Sequence, residues 1–218
     1  MQMMRHVIAP AVLAFTMASA VPSQAADLSV NGQIRSDGAC SIALGNGGVV
    51  DLGSLTRNQL SPPGELRVYE GREMSLMINC PHPTKVSVTA TDNREGTAHP
   101  GYYDWHGFGL GNPTIGFYFI RINETPSMAD GRDAFVIKPT YSVGWYDPGN
   151  GDTMAPCTTI SWGVDGPPLP EAWQKEPVAF KALTSTLGIN IAIALRKDVG
   201  FIDGMELDGS MTLELGYL

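Results

Sequence analysis

Apolar and polar residues alternate strictly through four stretches of the chain. Met74, Leu76, Ile78 and Cys80 share one parity; Val86, Val88 and Ala90 share another, with Lys85, Ser87, Thr89 and Thr91 between them. Ile189, Ile191, Ile193 and Leu195 alternate with Asn190, Ala192, Ala194 and Arg196, and Met211, Leu213, Leu215 and Tyr217 lead to Leu218. A strand with one buried face produces this period, because successive side chains point to opposite faces of a sheet. Weaker runs at 28–34, 49–52, 115–122, 141–146, 158–162 and 178–183 bring the expected strands to about ten. Turns are expected at Ser61-Pro62-Pro63-Gly64, at Asp147-Pro148-Gly149-Asn150-Gly151 and at Gly166-Pro167-Pro168. Only Pro170 to Glu176 reads as a helical turn. With 25 Gly and 16 Pro in the chain, helices of ordinary length are disfavoured, since each such residue costs a helix about 1–3 kcal/mol. The pattern therefore predicts an all-β fold, an antiparallel β-sandwich with long loops.

The first 25 residues change the picture of where this domain works. Arg5 precedes the apolar run Val7 to Val21, and Ser23-Gln24-Ala25 supplies small residues at a cleavage site. This is the pattern of a secretory signal, 1–25, leaving 26–218 as a single domain. Pro10 interrupts a run already short of the roughly 18 apolar residues a membrane helix needs, and no second run of that length follows, so no membrane span is expected. Removing Arg5 lowers the 14 basic side chains by one against 22 acidic ones, moving the net charge from −8 to −9. That balance argues against nucleic acid and anionic lipid as partners.

Export puts Cys40, Cys80 and Cys157 in an oxidising compartment, where thiols are expected to pair and one must be left over. Cys40 and Cys80 each sit at an end of a strand-like segment and are the expected pair. Closing a loop of that size stabilises a fold by roughly 4 kcal/mol on the chain-entropy model.

Leu28-Ser29-Val30-Asn31-Gly32-Gln33-Ile34, then Cys40, a strand ending at Cys80, and a C-terminal alternating strand with a penultimate tyrosine together resemble the subunits of chaperone–usher fimbriae. Thr91-Asp92-Asn93-Arg94, Phe108-Gly109-Leu110-Gly111, Pro177-Val178-Ala179-Phe180 and Leu207-Asp208-Gly209-Ser210-Met211-Thr212-Leu213-Glu214-Leu215 are similar to recurring elements of a fimbrial-like family, the domain of unknown function eleven-twenty, sometimes labelled β-fimbria major subunits. The resemblance implies an immunoglobulin-like, pilin-like sandwich lacking its last strand, whose groove stays open until a periplasmic chaperone, and later another subunit, inserts one. It also implies an usher, and a route through the periplasm to a cell-surface fimbrium. On that resemblance Met211, Leu213, Leu215 and Tyr217 line the chaperone or donor-strand edge, basic residues of the chaperone grip the Leu218 carboxylate, and the Cys40–Cys80 bridge ties the first two strands. Ala26 to Ala39 is expected to build the first strand of the fold, leaving little to donate, which departs from a polymerising subunit and suits a tip or stand-alone one.

The physics of the last strand points the same way. An apolar strand with Glu214 as its one charge is an aggregation hazard unless something covers it. Inserting about four apolar side chains beside it would gain roughly 6–12 kcal/mol gross.

Other chemistry is thin. The chain has no H-E-x-x-H, G-x-S-x-G or G-x-x-x-x-G-K. His82, His99 and His106 lack metal-ligand spacing, and Asp147 to Asp152 lacks the alternating oxygens of a calcium loop. No catalytic residues, metal or cofactor are expected, and the chain is not expected to be an enzyme. Tyr102, Tyr103 and Trp105 lie among glycines in the 93–113 loop as a candidate ligand loop, where rings can stack on sugars, although capping one end of the sandwich is the expected role. The expected function is a structural or adhesive fimbrial-like subunit; the alternative is a self-complete secreted sandwich that binds carbohydrate or another extracellular ligand through its aromatic loops.

Overall fold

A computed structural model describes residues 38–53, 67–100, 107–140, 144–165, 174–193 and 205–218, with 67–70 as backbone only. Thirteen strands and one short 3-10 turn, Gly45–Gly48, lie among them. The strands are β1 Ser41–Leu44, β2 Arg67–Thr84, β3 Val86–Asp92, β4 Phe108–Gly109, β5 Gly116–Arg121, β6 Ser127–Ala129 and β7 Arg132–Pro139. They continue with β8 Trp145–Tyr146, β9 Thr153–Met154, β10 Thr159–Gly163, β11 Gln174–Lys175, β12 Phe180–Ile193 and β13 Met211–Tyr217. Every ladder is antiparallel. The all-β expectation holds. Among the described residues no helix is long and apolar enough to cross a membrane.

Eight strands form one continuous path, β1-β2-β12-β6-β7-β10-β3-β13. Its backbone is β12, which pairs with β2 along one edge while its other edge takes β6 near its start and β5 near its end. The path makes two layers. Only Lys85 separates β2 from β3, yet Thr84 pairs with Phe180 in one layer and Val86 with Tyr217 in the other, so the chain turns a corner there. The interior between the layers is apolar: Leu76, Ile78, Val86, Val88, Ile120, Ile160 and Trp162 are fully buried. Trp162 meets the Phe180 ring edge-on at 6.3 Å, a favoured aromatic geometry.

Three of the four alternating stretches bury their apolar parity as expected, in β2, in β3, where Ser87 of the other parity is buried as well, and, half-covered, in β13. The fourth does not: in β12 Asn190 and Ala192 are buried together with Ile189, Ile191 and Ile193, because Phe119 and Phe117 of β5 stand opposite them and a bulge lies between Ile189 and Ile191. Leu195 falls outside the described residues, as does the expected strand at 28–34. The first described strand begins at Ser41, after Cys40.

Two expectations are corrected. Val49 to Leu52 is not a strand, although Val50 and Leu52 pack against the core, because no neighbouring strand pairs with it among the described residues. In the described part of the expected helical turn, 174–176, Gln174 and Lys175 instead form β11, paired with Tyr146 and Trp145.

The sequence pattern missed β6 and β7. They form a hairpin around Asp130 and Gly131, both at positive φ, with Ala129 opposite Arg132. Asp-Gly is the preferred pair for such a two-residue turn. The Asp130 carboxylate also accepts the backbone N–H groups of Lys181 and Ala182, at 3.1 and 2.8 Å. Those bonds hold its carboxyl below the ordinary value.

Candidate functional site

The two ends of the eight-strand path, β1 and β13, come to face each other without pairing. β1 pairs only with β2 and β13 only with β3 among the described residues. At one end of this seam the Cys40 N–H donates to the Tyr217 hydroxyl at 2.8 Å. A side chain therefore spans a gap that directly paired strands, about 4.8 Å apart, would close with their own backbones. The Cys40–Cys80 disulfide, with S–S 2.02 Å, anchors the same foot of the seam.

The lips of the seam are apolar and only half-covered. Along β1 and the segment after it, Ile42, Leu44, Val50 and Leu52 face the core; along β13 and the segment before it, Leu207, Met211, Leu213 and Leu215 do so. All eight are of intermediate exposure, whereas Leu76 and Ile78 on β2 are fully buried. At the end away from the disulfide the seam widens into a cavity of about 230 Å³. Leu44, Val50 and Leu52 form one wall, Leu207 and Met211 the other, and Met74, Leu110, Tyr118, Ile189 and Ile191 the floor.

A polar clasp frames this mouth. Arg94 donates to both carboxylate oxygens of Asp208, at 3.0 Å each, and this hydrogen-bonded partner raises the guanidinium pKa further. The Asp208 N–H donates to the Leu110 carbonyl and the Asn93 N–H to the Ser210 carbonyl. Asp92 accepts the Gly109 N–H, and Thr212 donates to the Asn93 side chain. Tyr118 stacks on Phe108 at 5.1 Å; burial, with Asp92 adding to it, holds its hydroxyl above the ordinary value and so neutral. Gly209 is required here, since a Cβ would stand 2.8 Å from the Tyr118 ring. The segments around Asp92, Gly109 and Asp208, each quoted above as a family element, thus meet at one place.

The sequence-based site residues fare unevenly. Met211, Leu213 and Leu215 do share the seam face. Tyr217, of the same parity, is 55% exposed and reaches across to Cys40 instead of packing inward. Leu218 is exposed, and its N–H donates to the Lys85 carbonyl. Cys157 is an exposed free thiol at positive φ. Tyr102, Tyr103 and Trp105 lie outside the described residues. Asn123, in an Asn-x-Thr sequence, is buried with its amide bonded to both backbone groups of Val136. The opposite lip and the floor were not anticipated, because Leu44, Val50, Tyr118 and Ile189 become neighbours of β13 only through long-range register.

Residues 28–105 match the model of a family described as a protein of unknown function, DUF1120. That match covers β1 to β3 and the Asp92–Arg94 turn and stops before β4. Over 242 aligned positions the chain is 28% identical to Protein GltF of Escherichia coli (strain K12), covering 95% of this chain and 93% of that protein. Both findings fit a chain of this family, and the disulfide fits an exported one.

Proposed function

We propose that the chain is a structural or adhesive fimbrial-like subunit, exported to the periplasm and displayed at the cell surface through an usher, whose seam takes an extended strand from a periplasmic chaperone. The observation that carries this reading is the pair of facing strands β1 and β13, which among the described residues do not pair with each other and leave core-grade apolar faces half-covered. A strand laid between them pairs its backbone with both edges and sets alternate side chains into the interior, the recognition mode called strand addition.

The test is co-expression of the mature chain with a cognate fimbrial chaperone in a periplasm. A one-to-one complex and a higher yield of protease-resistant subunit are expected. Leu215→Asp should abolish the complex, because it places an unpaired charge in the seam. Absence of any complex, with equal accumulation of the chain with and without the chaperone, would overturn the reading.

A further inference from the structure

We propose that the cavity at the mouth of the seam binds one small neutral molecule in the free chain, an apolar body of one or two fused rings with a single hydrogen-bonding tip. Such a site stands whether or not a strand enters the seam, since its ligand is met by the chain alone.

The floor shows the cavity residue by residue. Along β2, Met74 keeps 6% of its surface while Leu76 keeps none; along β12, Ile189 and Ile191 keep 5% and 4% while Leu187 keeps none. The three that keep some surface line the cavity, and the two sealed ones do not. The residual surface is therefore cavity wall. It is apolar and lacks the dispersion partners that a packed interior supplies.

Size and chemistry bound the ligand. An apolar cavity of about 150 Å³ is enough to take benzene, so one of about 230 Å³ takes a somewhat larger body, such as indole. It falls below the roughly 300–1,000 Å³ of sites for drug-sized molecules. Among the described residues that line it none is charged, in a chain with a net charge of −8, and burial keeps Tyr118 in the floor neutral. A charged ligand would lose its hydration there and find no opposite charge in exchange. Polar groups otherwise enter at the rim, where Gly48 and Gly209 are exposed and Ser210 is half-buried. They suit one hydrogen-bonding tip, whereas a sugar would leave most of its hydroxyls unmet.

The pocket is formed before anything enters it. Arg94 holds the Asp208 carboxylate, the Asp208 N–H donates to the Leu110 carbonyl and the Asn93 N–H to the Ser210 carbonyl, so the wall from Leu207 to Met211 is fixed. The Tyr118–Phe108 stack fixes the floor. A concave, pre-formed site with apolar side chains and few polar groups is the common form of a small-molecule site, and a fixed wall spares the ligand the cost of ordering it.

Indole is titrated into the mature chain carrying labelled methionine methyl groups, followed by NMR. Met74 and Met211 line the pocket, while Met77 and Met128 are exposed elsewhere and serve as the internal reference. Saturable shifts of Met74 and Met211 with Met77 and Met128 unmoved are expected. Indole-3-carboxylate, the same ring with a charge, should bind on the order of tenfold more weakly or worse, since nothing in the pocket pairs with it. Leu207→Trp fills the cavity from a half-buried place in its wall and should weaken indole binding on the order of tenfold, because a close-packed pocket has no room for both. Cooperative urea unfolding checks that this variant is folded, and the wild-type titration decides alone if it is not. No shift up to the solubility limit of indole would overturn the proposal, and so would unsaturable shifts at all four methionines. Equal affinity for the carboxylate would overturn the neutral ligand class, and undiminished binding to folded Leu207→Trp would overturn the site.

Discussion

Removing the disulfide by Cys40→Ser with Cys80→Ser tests how the first lip of the seam is held. The bridge spans 40 residues of sequence, and the chain-entropy model gives about 4 kcal/mol for a loop of that size. The structure places this constraint where little else acts. β1 is four residues long, pairs among the described residues with β2 alone, from Ser41 opposite Asn79 to Leu44 opposite Leu76, and buries Ile42 and Leu44 only partly. The hydrogen bond from the Cys40 N–H to the Tyr217 hydroxyl starts from the same residue, so loosening Cys40 also weakens that contact between the lips. Urea unfolding followed by tryptophan fluorescence, to which the buried Trp162 contributes, should show the midpoint falling by about 2 M, taking a slope of about 2 kcal/mol/M. Tyr217→Phe alone should cost about 1 kcal/mol or less, and less again in the double-serine background, because two changes at one contact do not add. A loss under about 1 kcal/mol for the double-serine protein would refute the reasoning, since it would mean that β1 is secured without the bridge.

Two further predictions bear on the core and on acid stability. Leu76→Ala, at a fully buried position, should cost about 2–5 kcal/mol in the same urea assay, whereas Leu213→Ala, half-covered in the free chain, should cost about 1 kcal/mol; equal losses would mean the seam is covered as fully as the interior. The Asp130 carboxyl is held below its ordinary value by the Ala182 and Lys181 N–H groups, so the unfolded chain takes up that proton first and the contribution is complete above about pH 4. It is lost as pH falls through the lowered folded value: the stability difference between wild type and Asp130→Asn should shrink below about pH 4, and a constant difference would exclude the carboxylate as its source.

The strands legible from sequence are those with one wet and one dry face. Met74, Leu76 and Ile78 in β2 and Val86, Val88 and Ala90 in β3 alternate because their apolar parity meets the core, although Ser87 on the other side of β3 is buried as well. β7 escaped notice because Val136 and Ile137 are both buried and adjacent, a two-sided environment that erases the period. β4, β9 and β11 are two residues each, too short to carry one, whereas β8 falls inside the expected run at 141–146. The Asp130-Gly131 turn was a readable signal that joins β6 to β7. For the site, the β13 lip was legible from its own alternation. The β1 lip, the Tyr118 floor and the Arg94–Asp208 clasp were not, because each depends on which distant segments become neighbours.

Alternation reports that a strand has an apolar face and is silent on whether anything covers it. Met211, Leu213 and Leu215 repeat the pattern of Met74, Leu76 and Ile78, yet the first three are half-covered and the last three buried. The difference is position: β2 has neighbours on both edges, β1 and β12, while β13 ends the path. Proteins ordinarily blunt such an end with charge, proline or a short strand. Here Glu214 is exposed, away from the core-facing side chains, Thr212 bonds Asn93, and seven residues stay extended. The preceding segment is fixed by the Asp208 clasp and the following end by Tyr217 and the Lys85 carbonyl. Under the proposed function, an edge that keeps a core-grade face and is pinned at both ends is where one more strand would be laid.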